Sequence, residues 1–184
     1  LLNIAARLTR PWRRLQTALE SVSMPGFHGD GLQVESFNSA RGAQFRLDWS
    51  LGVVSRARLE RPLQALATSD ADTRVLTAHH PILSPLAQKG RARTRRAARF
   101  AQPIAEAADL VLTGHLHTPF ACPVDTSRGR SWFVGASTAF SGRTREEPAG
   151  FNLLTAAPGS FRLTPFKAEA RRFVRHDDQA LPRA

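Results

Sequence analysis

The chain has 184 residues, of which 42% are apolar, and it carries a formal net charge of +11. This length suits one domain, and this apolar share can form a core, so the composition excludes a disordered chain. No apolar run approaches the roughly 18 residues that a membrane-spanning helix needs, and four arginines within residues 1–14 exclude a signal peptide. The single cysteine, Cys122, excludes an internal disulfide and fits a cytoplasmic location.

The amino-terminal half predicts few elements. In chain order the patterns predict a helix over 1–20, a loop over 23–31, a strand over 32–38, a turn over 38–42, and over 52–67 a loop that leads into a helix with Ser55 as its N-cap.

The carboxyl-terminal half alternates strands and helices. The patterns predict a strand over 74–78, a basic helix over 89–99 that Pro103 ends or restarts, a strand over 110–112, a strand over 131–137 and a hairpin of 151–155 with 161–166.

The positive charge is compatible with nucleic acid, an anionic membrane surface or a phosphate-bearing substrate. The densest basic run lies between Lys89 and Arg99, and only Phe100 is close to it, whereas single-stranded nucleic acids are bound by interleaved aromatic side chains. We therefore interpret the run as a solvated helix face. Nucleic acid is a possible partner but not the favoured one.

Histidines follow two of the predicted strands directly. His79-His80-Pro81 follows the strand 74–78, and Gly114-His115-Leu116-His117 follows the strand 110–112. Side chains at i and i+2 of an extended segment point to the same side, so His115 and His117 are expected to share one direction. Ligand sites gather at the carboxyl ends of strands, so neighbouring strands would bring His79 to them. Because imidazole is the commonest metal ligand, the pattern predicts a metal site.

The order strand, His-His-Pro, basic helix, strand, Gly-His-x-His resembles the carboxyl-terminal half of the calcineurin-like metallophosphoesterases. The resemblance continues through residues 133–138 and 147–152, looks closest to the bacterial phosphodiesterase branch, and covers about residues 30–168. It implies an α/β fold, a four-layer α/β/β/α sandwich that here lacks its amino-terminal half. Residues 1–168 would be the carboxyl-terminal portion of that domain, and residues 169–184 a charged tail.

The resemblance also implies an activity, a metal-dependent hydrolysis of phosphodiesters or phosphomonoesters with a small-molecule phosphoester as substrate. The family uses two divalent or trivalent ions of the Mn, Fe and Zn class. Carried over, His79 and His115 would bind one ion and His117 the other. The residues on the substrate side would be His80, Arg41 and Arg143.

Three motifs of the family's first half are absent from the chain: Asp-x-His, Gly-Asp-x-x-Asp and Gly-Asn-His. We expect the remaining ligands and the catalytic acid upstream of Leu1, and we expect the isolated chain to bind metal weakly and to be inactive. Two other hypotheses stay open. One is a basic nucleic-acid-binding module without catalysis, and the other is a hydrolase with a single metal ion held by three histidines.

Overall fold

The computed structural model describes residues 10, 13, 17, 26–41, 51–85, 94–140 and 147–184. These residues form two β-sheets and two helices of eleven or twelve residues. The elements are β1 (Gly26–Gly29), β2 (Leu32–Ser36), α1 (Arg56–Ala67), β3 (Thr73–Ala78), α2 (Ala97–Ala107), β4 (Leu110–Thr113), β5 (Phe120–Thr126), β6 (Gly129–Gly135), β7 (Gly150–Ala157), β8 (Ser160–Glu169), β9 (Arg172–Arg175) and β10 (Gln179–Pro182).

The larger sheet has six strands in the order β1-β2-β3-β4-β6-β5. Its four central strands run parallel, while β1 and β5 pair antiparallel at the two edges. Parallel strands are normally covered on both faces, which explains the continuous apolar runs of β3 and β4. Because β3 and β4 are direct neighbours, the chain segments that leave their carboxyl ends begin side by side.

Side chains alternate between two cores along the central strands. Leu76, Val111 and Phe133 face α1 and α2 in the first core. Their sequence neighbours Val75, Leu110 and Trp132 face the smaller sheet, where they meet Phe161, Leu163 and Leu181 in the second core. The described residues therefore form three layers: helices, the larger sheet and the smaller sheet. The expected α/β class is confirmed, and three of the four expected layers are in place.

The smaller sheet has the order β10-β8-β7, with β9 paired to β8. The predicted hairpin is confirmed as β7 and β8, joined across Pro158 and Gly159, and Gly159 takes the positive φ of 70° that such a turn requires. Residues 169–184, expected as a charged tail, instead contribute β9 and β10. Leu181 of β10 is fully buried and fixes this segment to the second core.

Three local predictions are wrong, the third in part. Residues 26–29, expected as loop, form β1, which turns at Asp30 and Gly31 to pair with β2. Pro103 neither ends nor restarts a helix, because α2 continues through it from Ala97 to Ala107. Within the described part of the basic run, Arg95 and Arg96 precede α2 and do not lie on a helix face, whereas Arg99 lies exposed on α2. No helix among the described residues is long and apolar enough to span a membrane.

Candidate metal centre

His79 and His115 meet at the carboxyl edge of the larger sheet. Ala78 of β3 is the register partner of Thr113 of β4, so the next residues of the two strands emerge together. The Gly114 N–H donates to the His79 carbonyl at 3.1 Å and extends the pairing by one step. The His115 Nδ1 and the His79 Nε2 are then 3.2 Å apart. The predicted convergence of these two histidines is therefore present in the structure.

His80 belongs to the same group. Its ring centroid lies 4.8 Å from that of His79 and 4.5 Å from that of His115. One ligand nitrogen from each of the three rings lies within 4.8 Å of the other two. His79 is exposed, His115 is half-buried and His80 is only 5% exposed, so the group extends from the surface into the protein. These three histidines are placed so that they could hold a metal ion.

His80 is fixed by two residues that are distant in sequence. The Ser39 Oγ accepts the backbone N–H of His80 at 3.1 Å and lies 2.9 Å from the Nδ1 of its ring. On another side, the Gly52 backbone packs directly against this ring, and a Cβ at position 52 would overlap the His80 side chain. Gly52 in turn accepts a hydrogen bond from the Arg95 N–H at 3.0 Å.

His117 does not follow the expected geometry. The segment after β4 is not extended, because His115 and His117 both have positive φ values, 67° and 58°. This left-handed conformation is uncommon for residues other than glycine and costs roughly 1–2 kcal/mol each. The alternation rule for extended chain therefore does not apply, and His117 lies outside the group of three. Gly114, the glycine of this segment, does not have a positive φ.

His79 has a lowered pKa. Partial burial of its ring is the main cause, and the positive charge of a protonated His117 is the second. A lowered pKa favours the neutral imidazole, which is the form that binds metal ions. Among the described residues no carboxylate belongs to the histidine group, so the group offers neutral ligands.

The remaining predicted site residues are less defined. Arg41 is exposed in the turn that carries Ser39, and this turn is held by Arg58, whose Nη1 donates to the Asn38 and Ala40 carbonyls at 3.0 and 2.7 Å. Arg143 lies in the segment 141–146, outside the described residues. The roles of both arginines towards substrate stay predictions.

Sequence reasoning missed three residues around the histidines: Ser39, Gly52 and Ser137. Ser137 lies just after the end of β6. Its hydroxyl donates to the Pro148 carbonyl at 2.7 Å and lies 3.5 Å from the His117 carbonyl oxygen. The turn predicted over 38–42 contains both Ser39 and Arg41, and only Arg41 was predicted to take part in the site. Gly52 and Ser137 carry no local signal, because their roles depend on contacts across the fold.

The spacing of His79 and His115 suits a shared metal ion. Two nitrogens bound to one tetrahedral zinc ion at about 2.0–2.1 Å are about 3.3 Å apart. The 3.2 Å between His79 Nε2 and His115 Nδ1 is close to that separation; in the absence of an ion it is a hydrogen bond, whose proton an ion would displace. Imidazole ligands fit zinc, iron, copper and nickel, whereas calcium, magnesium and manganese prefer oxygen ligands. The residues present thus fit one such ion.

The solved structures similar to this chain include two of Vps29 from Entamoeba histolytica. One is a single mutant and the other is the wild type complexed with Zn²⁺. Each is 12% identical to this chain, with a TM-score of 0.36, and the match covers 80% of this chain and 98% of the other. No family model and no curated protein matches the sequence. At this identity and TM-score the likeness carries no inference about function.

Proposed function

We propose that this chain is the carboxyl-terminal part of a calcineurin-like metallophosphoesterase that hydrolyses phosphodiesters or phosphomonoesters. The observation that carries the proposal is the pair His79 and His115, whose facing nitrogens already have the separation of two ligands on one ion. Both follow neighbouring parallel strands, in the motif context that resembles this superfamily.

In this proposal His79 and His115 bind one metal ion and His117 binds a second. Bound ions would polarise the phosphoryl group and supply hydroxide near neutral pH. The residues of this chain hold the ions, orient the phosphoryl oxygens and shield one side of the site.

Three neutral imidazoles do not offset the charge of two dications. We therefore expect the 184-residue chain to bind a first ion more tightly than a second. We also expect hydrolysis only where an anionic ligand is supplied in addition. The cofactor set of two ions and the catalytic groups beyond the histidines are part of the proposal.

The first test is calorimetric titration of the chelator-treated chain with Zn²⁺ and Mn²⁺. His115→Ala is expected to weaken the first binding event at least tenfold, since it removes one of the two ligands. His28→Ala is the matched control, because His28 lies on β1 with a side chain 65% exposed, and it should leave binding unchanged. Equal affinity of the wild type and His115→Ala would contradict the proposal.

The second test addresses the reaction. The complete gene product should hydrolyse bis(p-nitrophenyl) phosphate, lose this activity with EDTA, and lose it in the His115→Ala variant. The 184-residue chain alone should show little turnover. A complete gene product that binds metal but cleaves no phosphoester would restrict the proposal to metal binding.

A hydrolase with a single ion is the alternative that a specific observation favours, since His80 supplies a third nearby imidazole. It predicts one tightly bound ion per chain and equal losses of affinity in variants of His79, His80 and His115. The two-ion proposal predicts that the loss at His80 is the smallest.

A further inference from the structure

Ser39 contacts His80 with a side chain that is almost fully buried. The residue is 1% exposed, and its Oγ accepts the His80 backbone N–H at 3.1 Å. The same Oγ lies 2.9 Å from the Nδ1 of the His80 ring. One hydroxyl therefore meets both the backbone and the ring of the same histidine.

The positions of the protons follow from what a hydroxyl can do. It has one proton to donate and two lone pairs to accept with. If Nδ1 carried the ring proton, the Ser39 oxygen would accept twice. Its own proton would then have no acceptor among the contacts of the described residues. A buried donor left unpaired costs about 1–3 kcal/mol. The arrangement of lower free energy is the one in which the Ser39 hydroxyl donates to Nδ1. The proton of the neutral ring is then on Nε2.

We propose that Ser39 is a positioning residue that holds His80 with its proton on Nε2, so that His80 donates a hydrogen bond to a phosphoryl oxygen instead of acting as a third metal ligand. A protonated Nε2 has no lone pair for a metal ion, but it suits an anionic oxygen. The role towards phosphate rests on the metal centre proposed above.

The packing around His80 keeps this orientation. The Gly52 backbone lies against the Cβ and Nδ1 side of the His80 side chain. A Cβ added at position 52 would come within 2.6 Å of the His80 Cβ and 2.7 Å of its Nδ1. A half-turn of the ring would exchange Nδ1 for a carbon and break the bond to Ser39. The ring centroids of His79 and His115 at 4.8 and 4.5 Å keep His80 beside the proposed ion site.

The tautomer is measured directly by NMR on the chelator-treated chain carrying ¹⁵N-labelled histidine, with His80 assigned through His80→Gln. We expect a protonated Nε2 and a bare Nδ1 in the wild type. Ser39→Thr, which keeps the hydroxyl, should preserve this pattern. Ser39→Ala should give a mixture of both tautomers. A wild-type His80 protonated on Nδ1, or an unchanged tautomer in Ser39→Ala, would overturn the proposal.

Zn²⁺ and then inorganic phosphate are added to the same sample. Zn²⁺ should shift the His79 and His115 nitrogens while His80 keeps its Nε2 proton, and phosphate should then shift that proton. Phosphate affinity should fall several-fold in Ser39→Ala and recover in Ser39→Thr. Loss of the Nε2 proton on adding Zn²⁺ would make His80 a ligand and overturn the inference, although the metal centre would stand. A chain that binds no Zn²⁺ would end the proposed function and the phosphate role, and the metal-free spectrum would still decide the tautomer.

Discussion

Strands β3 and β4 carry different polar groups at their two ends: a pair of opposite charges at the amino ends and histidines at the carboxyl ends. At the amino ends, Arg74 and Asp109 form a bidentate pair, with Nε–Oδ2 and Nη2–Oδ1 distances of 3.1 and 2.8 Å. The Asp109 carboxylate also accepts the Arg74 backbone N–H at 2.8 Å and lies 3.2 Å from the Arg183 guanidinium. At the carboxyl ends, His79 and His115 are like groups that face each other, and no carboxylate joins their group among the described residues.

This difference separates stability from ligand binding on one pair of strands. The amino end satisfies its charges internally, and Arg183 follows β10, so the pair also ties the smaller sheet to the larger one. The carboxyl end has uncharged imidazole ligands, two residues with left-handed backbone and an exposed histidine. These groups stabilise the fold little until an ion is bound. Variants at the two ends should therefore separate stability from metal affinity.

The largest effect is expected at the amino end. Asp109→Ala would leave the Arg74 guanidinium without its partner, and the side chains are only 8% and 11% exposed. Removing one member of a buried pair costs about 3–5 kcal/mol. Urea denaturation should show this loss, while the folded fraction should bind Zn²⁺ with unchanged affinity.

Asp125→Ala is the matched control for that variant. Asp125 also pairs with an arginine, Arg130, at 3.1 Å, but its side chain is 87% exposed. Exposed pairs contribute about 0–1 kcal/mol. Equal losses for Asp125→Ala and Asp109→Ala would show that burial of the amino-end pair does not matter.

A smaller effect with the opposite signature is expected at the carboxyl end. Gly52→Ala places a Cβ into the His80 ring, and such overpacking costs about 1–3 kcal/mol. Because the ring must move, the variant should also alter the histidine group and weaken Zn²⁺ binding. Calorimetry and denaturation of the same preparation measure both effects.

Gly114→Ala is the control at this end. A Cβ there would lie 3.9 Å from the nearest atoms, those of His79, which is ordinary contact. We expect a change within about 0.5 kcal/mol and unchanged Zn²⁺ affinity. Should Gly114→Ala be the more damaging of the two, the assignment of Gly52 as the glycine that positions the site would be wrong.

The sequence predicted the meeting of His79 and His115 because the rule behind it is local. The short apolar runs predicted the two strands, and the carboxyl ends of neighbouring parallel strands must lie together. The direction of His117 was not readable, since it depends on left-handed backbone at two histidines, which residue type does not reveal.

Other features depended on contacts that are distant along the chain. Ser39 and His80 are 41 positions apart, and only the folded sheet brings them together. The strands of segment 169–184 escaped prediction because pairing with β8, and not hydrophobicity, defines them. Within β9 and β10, Leu181 alone is fully buried.

Two buried serines, Ser39 and Ser131, should change the free energy of unfolding in opposite directions when replaced by alanine, each by about 1 kcal/mol. Ser131 on β6 is 1% exposed like Ser39, but its hydroxyl has no hydrogen-bond partner among the described residues. Ser131→Ala removes this unpaired group and is expected to raise the free energy of unfolding by about 1 kcal/mol. Ser39→Ala should lower it. The same sign for both variants would contradict the assigned hydrogen bonds of Ser39.

The smallest effect concerns the pH dependence of stability that comes from Glu106. Glu106, in the last turn of α2, has a lowered pKa because the Ser127 hydroxyl and backbone N–H donate to its carboxylate. A carboxyl whose pKa is lower in the folded state stabilises the fold above its unfolded value of 4.5, and this contribution is lost as the pH falls through the folded value. The melting temperature of Glu106→Gln should therefore lie below that of the wild type near neutral pH, and the gap should close in acid. Glu60→Gln, on the exposed side of α1, should change the melting temperature little at either pH. A gap for Glu106→Gln that persists in acid would show that the effect comes from lost hydrogen-bond geometry and not from the charge of the carboxylate.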